Sequence, residues 1–163
     1  MKRNKILVRF LSYCNSGCWS LWFQTTREQQ EKANTPNVIL ILMDDMGYGD
    51  LECYGGFPYH TPSINKLANE GMRFTNFYVS QAVCSASRSS FLTGCYPNRI
   101  GINGALSPFA EIALNPEEET IAELLKASGY KTSMVGKWHL GQKAPFLPLN
   151  YGFDEYLGLT IFT

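Results

Sequence analysis

An α/β fold built from βαβ units is predicted by three features of the sequence. Val38-Ile39-Leu40-Ile41-Leu42-Met43 is an unbroken apolar run of strand length, the pattern of a strand covered on both faces. Strand-like segments at Met72–Val79 and Lys131–Val135 alternate with helical patterns that carry their own start and stop signals. Each of the three strands leads directly into reactive side chains: Asp44-Asp45, then Cys84 with Arg88, then Lys137 with His139. Ligands of open α/β sheets bind at such strand ends, so these groups are predicted to converge on one sheet edge.

The elements follow in order. Lys2, Arg3 and Lys5 precede Ile6, Leu7, Val8, Phe10 and Leu11, with Arg9 interrupting the run. A basic start followed by a short apolar stretch fits a secretory signal peptide, and the polar stretch Gln24–Thr35 fits a linker. Residues 1–35 are therefore set apart from 36–163. No stretch reaches the roughly 20 apolar residues of a stable membrane span. Thr61-Pro62 starts a helix that Gly71 ends, with Ile64, Leu67 and Ala68 as its apolar stripe. A second helix starts near Cys84. Thr120 and Glu123 form a capping box for a third, which runs through Ser128 to Gly129 and turns Ile121, Leu124 and Leu125 inward.

Composition limits what the chain does. Its 163 residues are 45% hydrophobic and 17% charged, enough apolar mass for a real core. Lys plus Arg and Asp plus Glu balance at 14 each, which argues against a nucleic-acid or membrane-surface binder. The five cysteines have no zinc-site spacing, and an odd number leaves at least one thiol outside any internal disulfide.

Taken singly, each reactive group has a plain structural explanation. Asp44-Asp45 is either a polar turn or, since adjacent carboxylates repel, a site for a hard cation such as calcium or magnesium. Cys84 and Arg88 share a helical face, which suits an anion near a helix start as well as simple packing. Lys137 and His139 alternate by two and point the same way if the strand conformation continues, making an anion clamp and proton handler or an ordinary surface pair. His60 reads as a loop residue.

The run Cys84-Ser85-Ala86-Ser87-Arg88, followed by Leu92-Thr93-Gly94, resembles the signature of the type I sulfatases. Gly129-Tyr130-Lys131-Thr132 with Gly136-Lys137-Trp138-His139 resembles their second signature, and the likeness extends from Pro36 to Gly158. The resemblance implies an alkaline-phosphatase-like α/β sandwich with a mostly parallel or mixed central sheet, of which this chain is the N-terminal fragment. It implies that a formylglycine-generating maturation enzyme converts Cys84 to Cα-formylglycine. One hydroxyl of the hydrated aldehyde would attack the sulfur of a sulfate monoester as the alcohol leaves, and the second would then lose its proton to expel sulfate and restore the aldehyde. A plain serine or cysteine lacks that second hydroxyl. By the same resemblance, Asp44, Asp45 and the modified Cys84 bind calcium, Arg88 holds the hydrate, Lys137 contacts hydrate and sulfate, and His139 takes the proton. The implied substrate is a small sulfate ester or a sulfated glycan, and the implied location is extracytoplasmic (periplasmic, secreted or lysosomal).

The sequence departs from the family in places. Further calcium ligands and the His and Lys near the leaving oxygen have no counterpart here, and Cys95 stands where relatives commonly carry arginine. Two alternatives follow: a phosphatase or phosphodiesterase of the same superfamily, against which Cys84 argues, and an inactive truncated fragment. A sheet cut off part-way through leaves unpaired edges and uncovered apolar faces. The isolated chain, co-expressed with a maturation enzyme, is therefore expected to be poorly soluble or to show no turnover of a generic aryl sulfate; robust hydrolysis would contradict this.

Overall fold

The computed structural model describes residues 35–56 and 59–161, and its three α-helices form where the sequence predicts them. The chain divides into two units, residues 1–41 and 42–163. The signal peptide and linker proposed for residues 1–35 lie, apart from Thr35, outside the described residues. Helix α1 spans Pro62–Glu70, with Pro62 in its first turn, and the Gly71 N–H returns to the Leu67 carbonyl at 2.9 Å. Thr61 stands before it, yet its hydroxyl makes no capping bond. It accepts from the Glu52 N–H at 3.2 Å and lies 3.3 Å from Asn65 Oδ1. Helix α2 spans Cys84–Thr93 and closes on Gly94, whose φ of 69° is a left-handed conformation that glycine adopts without strain.

Helix α3, Ile121–Ala127, has the predicted capping box: Glu123 N–H donates to Thr120 Oγ1 at 3.3 Å, and Thr120 N–H donates to Glu123 Oε2 at 2.7 Å. Thr120 is fully buried, and its hydroxyl lies 2.9 Å from the Tyr151 carbonyl, so the cap also docks the helix.

Two parallel strands follow, β1 (Ser133–Val135) and β2 (Glu155–Leu157), with Ser133 opposite Glu155 and Val135 opposite Leu157. β1 fulfils the strand expected at Lys131–Val135, in shortened form. β2 carried no strand signal in the sequence. Pairing continues beyond both strands, because the N–H groups of Gly136, Trp138 and His139 reach the carbonyls of Leu157, Leu159 and Thr160. Gly158 makes this possible: a Cβ there would lie 1.9 Å from the Gly136 carbonyl oxygen.

The core consists of Ala86, Ile100, Ile102, Leu114, Trp138, Leu140 and Tyr151, and the Trp138 and Tyr151 rings lie 5.4 Å apart. Among the described residues, no position from 35 to 84 is buried. The expected strand Val38–Met43 forms no ladder, and Ile39 is 82% exposed. Met72–Val79 forms none either, and Tyr48 and Tyr54 hydroxyls take over part of the missing pairing. The Tyr48 hydroxyl accepts from the Phe77 N–H and donates to its carbonyl, both at 2.7 Å, while the Tyr54 hydroxyl donates to the Phe74 carbonyl at 2.8 Å. An apolar run becomes a strand only when a neighbouring strand pairs with its backbone, and among the described residues no strand pairs with either run.

Two helix faces also differ from expectation. Leu67 and Leu124 are exposed, and Ala122 rather than a leucine is the buried residue of α3. A helix turns its stripe only toward a partner surface, and these short helices have little to cover them.

Asp154 links α3 to the strand region. Lys126 Nζ lies 2.8 Å from its Oδ1, and the Thr132 N–H donates to Oδ2 at 3.0 Å. The Lys126 hydrogen bond, then that from Thr132, lower its pKa from 3.8 to about 2. The unfolded chain thus binds the proton first as pH falls, so the stabilisation is complete above the ordinary carboxylate value and is lost as pH approaches the folded one. Urea midpoints measured across this acid range should slope less steeply in Asp154→Asn than in the parent chain.

Candidate active site

Helix α2 carries small hydroxyl residues where a core helix usually carries leucines. Ser85, Ala86 and Ser89 are fully buried, and Arg88 is 9% exposed. Ser89 Oγ donates to the Ala86 carbonyl at 2.9 Å, and Thr93 Oγ1 donates to the Ser89 carbonyl at 2.8 Å, so these hydroxyls are satisfied within the helix. Their small volume lets the helix approach the core closely. Cys84 is the first helical residue and is half-buried, next to N–H groups that have no partner within the helix. Arg88 follows one turn later on the same face.

Arg88 joins segments that are far apart in the chain. Its Nη1 donates to the Lys137 carbonyl at 2.7 Å, and its Nη2 donates to Asp44 Oδ1 at 3.1 Å. Lys137 Nζ reaches the other oxygen of the same carboxylate, Asp44 Oδ2, at 2.9 Å. Asp44 therefore faces two cations. The hydrogen bond from Lys137, then the guanidinium of Arg88, outweigh a modest burial effect and hold its carboxyl below the ordinary value of 3.8. For Lys137, burial works against the charge. The hydrogen bond and attraction of Asp44, with smaller contributions from Cys84, outweigh it and hold the ammonium above 10.5.

Asp45 sits at φ 56°, a left-handed conformation that costs a non-glycine residue about 1 kcal/mol or more and that clusters at functional sites. Ligand atoms of Asp44, Asp45 and Cys84 all lie within 4.8 Å of one another. The donor set fits a hard cation through its two carboxylates, while a thiol sulfur is a poor partner for calcium. Replacing that sulfur by oxygen would make the set uniform.

The structure thus brings together Asp44, Asp45, Cys84, Arg88 and Lys137. His139 has a different partner. Its φ of 59° ends the extended run, so the alternation that would aim it alongside Lys137 does not hold. The ring is nearly buried, with Nε2 2.8 Å from the Leu106 carbonyl oxygen and Nδ1 without a hydrogen-bond partner. A nitrogen facing a carbonyl must carry the proton, which in the neutral ring leaves Nδ1 as an acceptor. His60 is a loop residue, as expected, with Nδ1 3.5 Å from Glu52 Oε1. Cys53, Cys84 and Cys95 are free thiols. Sequence reasoning missed Ser85, whose Oγ accepts the Leu106 N–H at 3.0 Å and thereby ties a distant loop beside Cys84. A serine in a serine-rich helix gives no signal of such a role.

A family model described as Sulfatase matches residues 36–162. The chain belongs to the sulfatase family. Arylsulfatase A of Homo sapiens is 48% identical over 130 residues, covering 78% of this chain and 26% of that protein. Among solved structures, the PsFucS1 sulfatase from Pseudoalteromonas sp. is similar with a TM-score of 0.71 and 40% identity, over 80% of this chain and 27% of that one. A protein solved in complex with its substrate D-glucosamine-2-N,6-O-disulfate is similar with a TM-score of 0.64 and 35% identity, over 74% and 22%. The fold is that of the sulfatases, the alkaline-phosphatase-like α/β architecture, represented by its N-terminal part. The chain spans about a quarter of the length of the curated relatives it matches.

The two cations on Asp44 generate a direct test. Asp44→Asn should lower the pKa of Lys137, because burial then acts on it without the opposing carboxylate. Mass-spectrometric acylation of Lys137 against pH should shift to lower pH in the variant; an unchanged profile would contradict the coupling.

Proposed function

We propose that this chain carries the nucleophile-bearing part of a hydrolase for sulfate monoesters, with Cys84 as the precursor of Cα-formylglycine. The observation that carries this reading is the meeting of Asp44, Asp45 and Cys84 within 4.8 Å, next to Arg88 and Lys137. Residues 36–163 then form part of the catalytic domain. Membership of the sulfatase family supports the sulfate-ester class.

Each residue has a chemical task. Asp44, Asp45 and the oxygen-bearing product of Cys84 would hold calcium, which supplies positive charge to polarise a sulfate oxygen. The hydrated aldehyde derived from Cys84 would supply one hydroxyl to attack sulfur as the ester's alcohol leaves, and a second whose deprotonation expels sulfate and restores the aldehyde. Arg88 keeps one carboxylate oxygen of Asp44 in place and contributes charge that offsets the carboxylate pair. Lys137 holds the other oxygen, and its ammonium is protonated throughout the neutral range, as a group facing a sulfate must be. His139, whose Nδ1 is buried and has no hydrogen-bond partner, is the residue assigned to proton removal.

A similar protein takes a sulfated glucosamine as substrate, which supports a sulfated glycan as the partner here. A maturation enzyme is the second partner the reading requires. An extracytoplasmic location rests on the basic and then apolar start of the sequence. No described helix is long and apolar enough to cross a membrane.

The test is chemical. Trypsin releases the peptide Phe74–Arg88, and after co-expression with a formylglycine-generating enzyme this peptide should lose sulfur and two hydrogens and gain one oxygen. A hydrazide probe should label the parent chain and leave Cys84→Ala unlabelled. An intact thiol in the co-expressed parent chain would overturn the reading.

A further inference from the structure

Ser85 differs from the other hydroxyl residues of α2 in where its bond goes. Ser89, Ser90 and Thr93 each donate to a carbonyl of their own helix, those of Ala86, Ser87 and Ser89. Such local bonds satisfy the hydroxyl and reach nothing beyond the helix. Ser85 is fully buried one residue after Cys84, and it accepts the Leu106 N–H at 3.0 Å, from 21 residues along the chain. Close packing needs only a small side chain, which alanine would supply equally well. The hydroxyl serves Leu106.

Leu106 passes the constraint on. Its carbonyl oxygen lies 2.8 Å from His139 Nε2, and its side chain packs against the core. The N–H and the carbonyl belong to the peptide groups on either side of the Leu106 Cα, so the two bonds together fix its φ and ψ. The backbone of His139 is held separately, with its N–H donating to the Thr160 carbonyl at 2.8 Å and its φ at 59°. What stays open at His139 is the turn of the ring and the choice of tautomer.

The Leu106 carbonyl decides both. A carbonyl oxygen accepts and cannot donate, so the nitrogen facing it carries the proton, and a ring turned over would set a carbon against it. From the other side nothing competes: the residue is 8% exposed, and among the described residues no group bonds Nδ1. The bond made by one ring nitrogen sets the state of the other.

We propose that Ser85 is a positioning residue for His139: acting through Leu106, its hydroxyl holds the ring as the Nε2–H tautomer and keeps Nδ1 as the nitrogen that accepts a proton. One helix start thus presents Cys84 and, one residue later, sets the tautomer of the base. The consequence for a reaction rests on reading His139 as the proton-removing residue, whereas the tautomer itself does not.

The chain has two histidines, so the full chain with isotope-labelled ring nitrogens gives two ring systems, which His60→Gln assigns. At a pH where histidine is neutral, His139 should show a protonated Nε2 and an unprotonated Nδ1. Ser85→Ala should draw the two nitrogen shifts together as the tautomers mix. The ratio of Nε2–H to Nδ1–H should fall by about fivefold, the scale of one net hydrogen bond. Ser89→Ala removes an equally buried hydroxyl from the same helix but spares Leu106, and should leave the ratio unchanged. Ser85→Thr and Ser85→Val match each other in shape, and only the threonine should keep the parent ratio. That pair decides if Ser85→Ala shifts the Trp138 indole N–H, which donates to the Phe146 carbonyl and reports on the core. A parent ring protonated at Nδ1, an unchanged ratio in Ser85→Ala, an equal loss in Ser89→Ala, or equal ratios in the Thr and Val variants would each overturn the proposal. Peptide mass at Cys84 separates the two readings. Conversion with an indifferent tautomer removes only the role of Ser85, and the expected tautomer with an intact thiol removes only the sulfatase mechanism.

Discussion

A single carboxylate holds the candidate site together. Asp44 places one oxygen on Arg88 and the other on Lys137, joining the segment after residue 42, helix α2 and the turn after β1. Each pair strengthens the other's geometry, because Arg88 also binds the Lys137 backbone carbonyl and so fixes the position of the lysine it works beside. Arg88 and Lys137 are both largely removed from water, where ion pairs are stronger than on an open surface but where an unpaired charge is costly. The three groups are consequently interdependent, and removal of any one leaves the others with uncompensated charge or an unfilled hydrogen bond.

The supports of this carboxylate differ in kind. On one side lies packed structure: α2 approaches the core through buried serines and alanine, and the Lys137–His139 turn is held by parallel pairing that Gly158 permits. On the other side, Asp44 and Asp45 belong to a stretch with no buried side chain among the described residues from 35 to 84. Polar contacts rather than packing therefore hold Asp44. The exposed apolar segments at Val38–Met43 and Met72–Val79 are the chemistry of strands without their ladders, in a chain that spans about a quarter of its relatives' length.

The loop from Leu106 to Leu114 connects two parts of the molecule that the sequence presents as unrelated. Its first residue lies between Ser85 and His139, and its last enters the core through Leu140 and the Tyr151 hydroxyl. Placement of His139 is thus a consequence of one loop conformation.

The sequence alone was sufficient for whatever depends on near neighbours. The Thr120–Glu123 capping box, the Pro62 start and Gly71 end of α1, the Cys84–Arg88 spacing and the family itself were all legible, because caps, helical faces and signatures are set within a few residues. Strand β2, the unpaired state of two apolar runs and the exposure of Leu67 and Leu124 were not, since a strand or a buried face exists only with a partner from elsewhere in the chain. The same reason divides the candidate site. Residue types named Asp44, Asp45, Cys84, Arg88, Lys137 and His139 as candidates, but only the tertiary structure decided that Asp44 takes both cations and that a left-handed turn sends His139 to Leu106. Charges and ring nitrogens choose their partners by distance in space, which spacing along the chain does not specify.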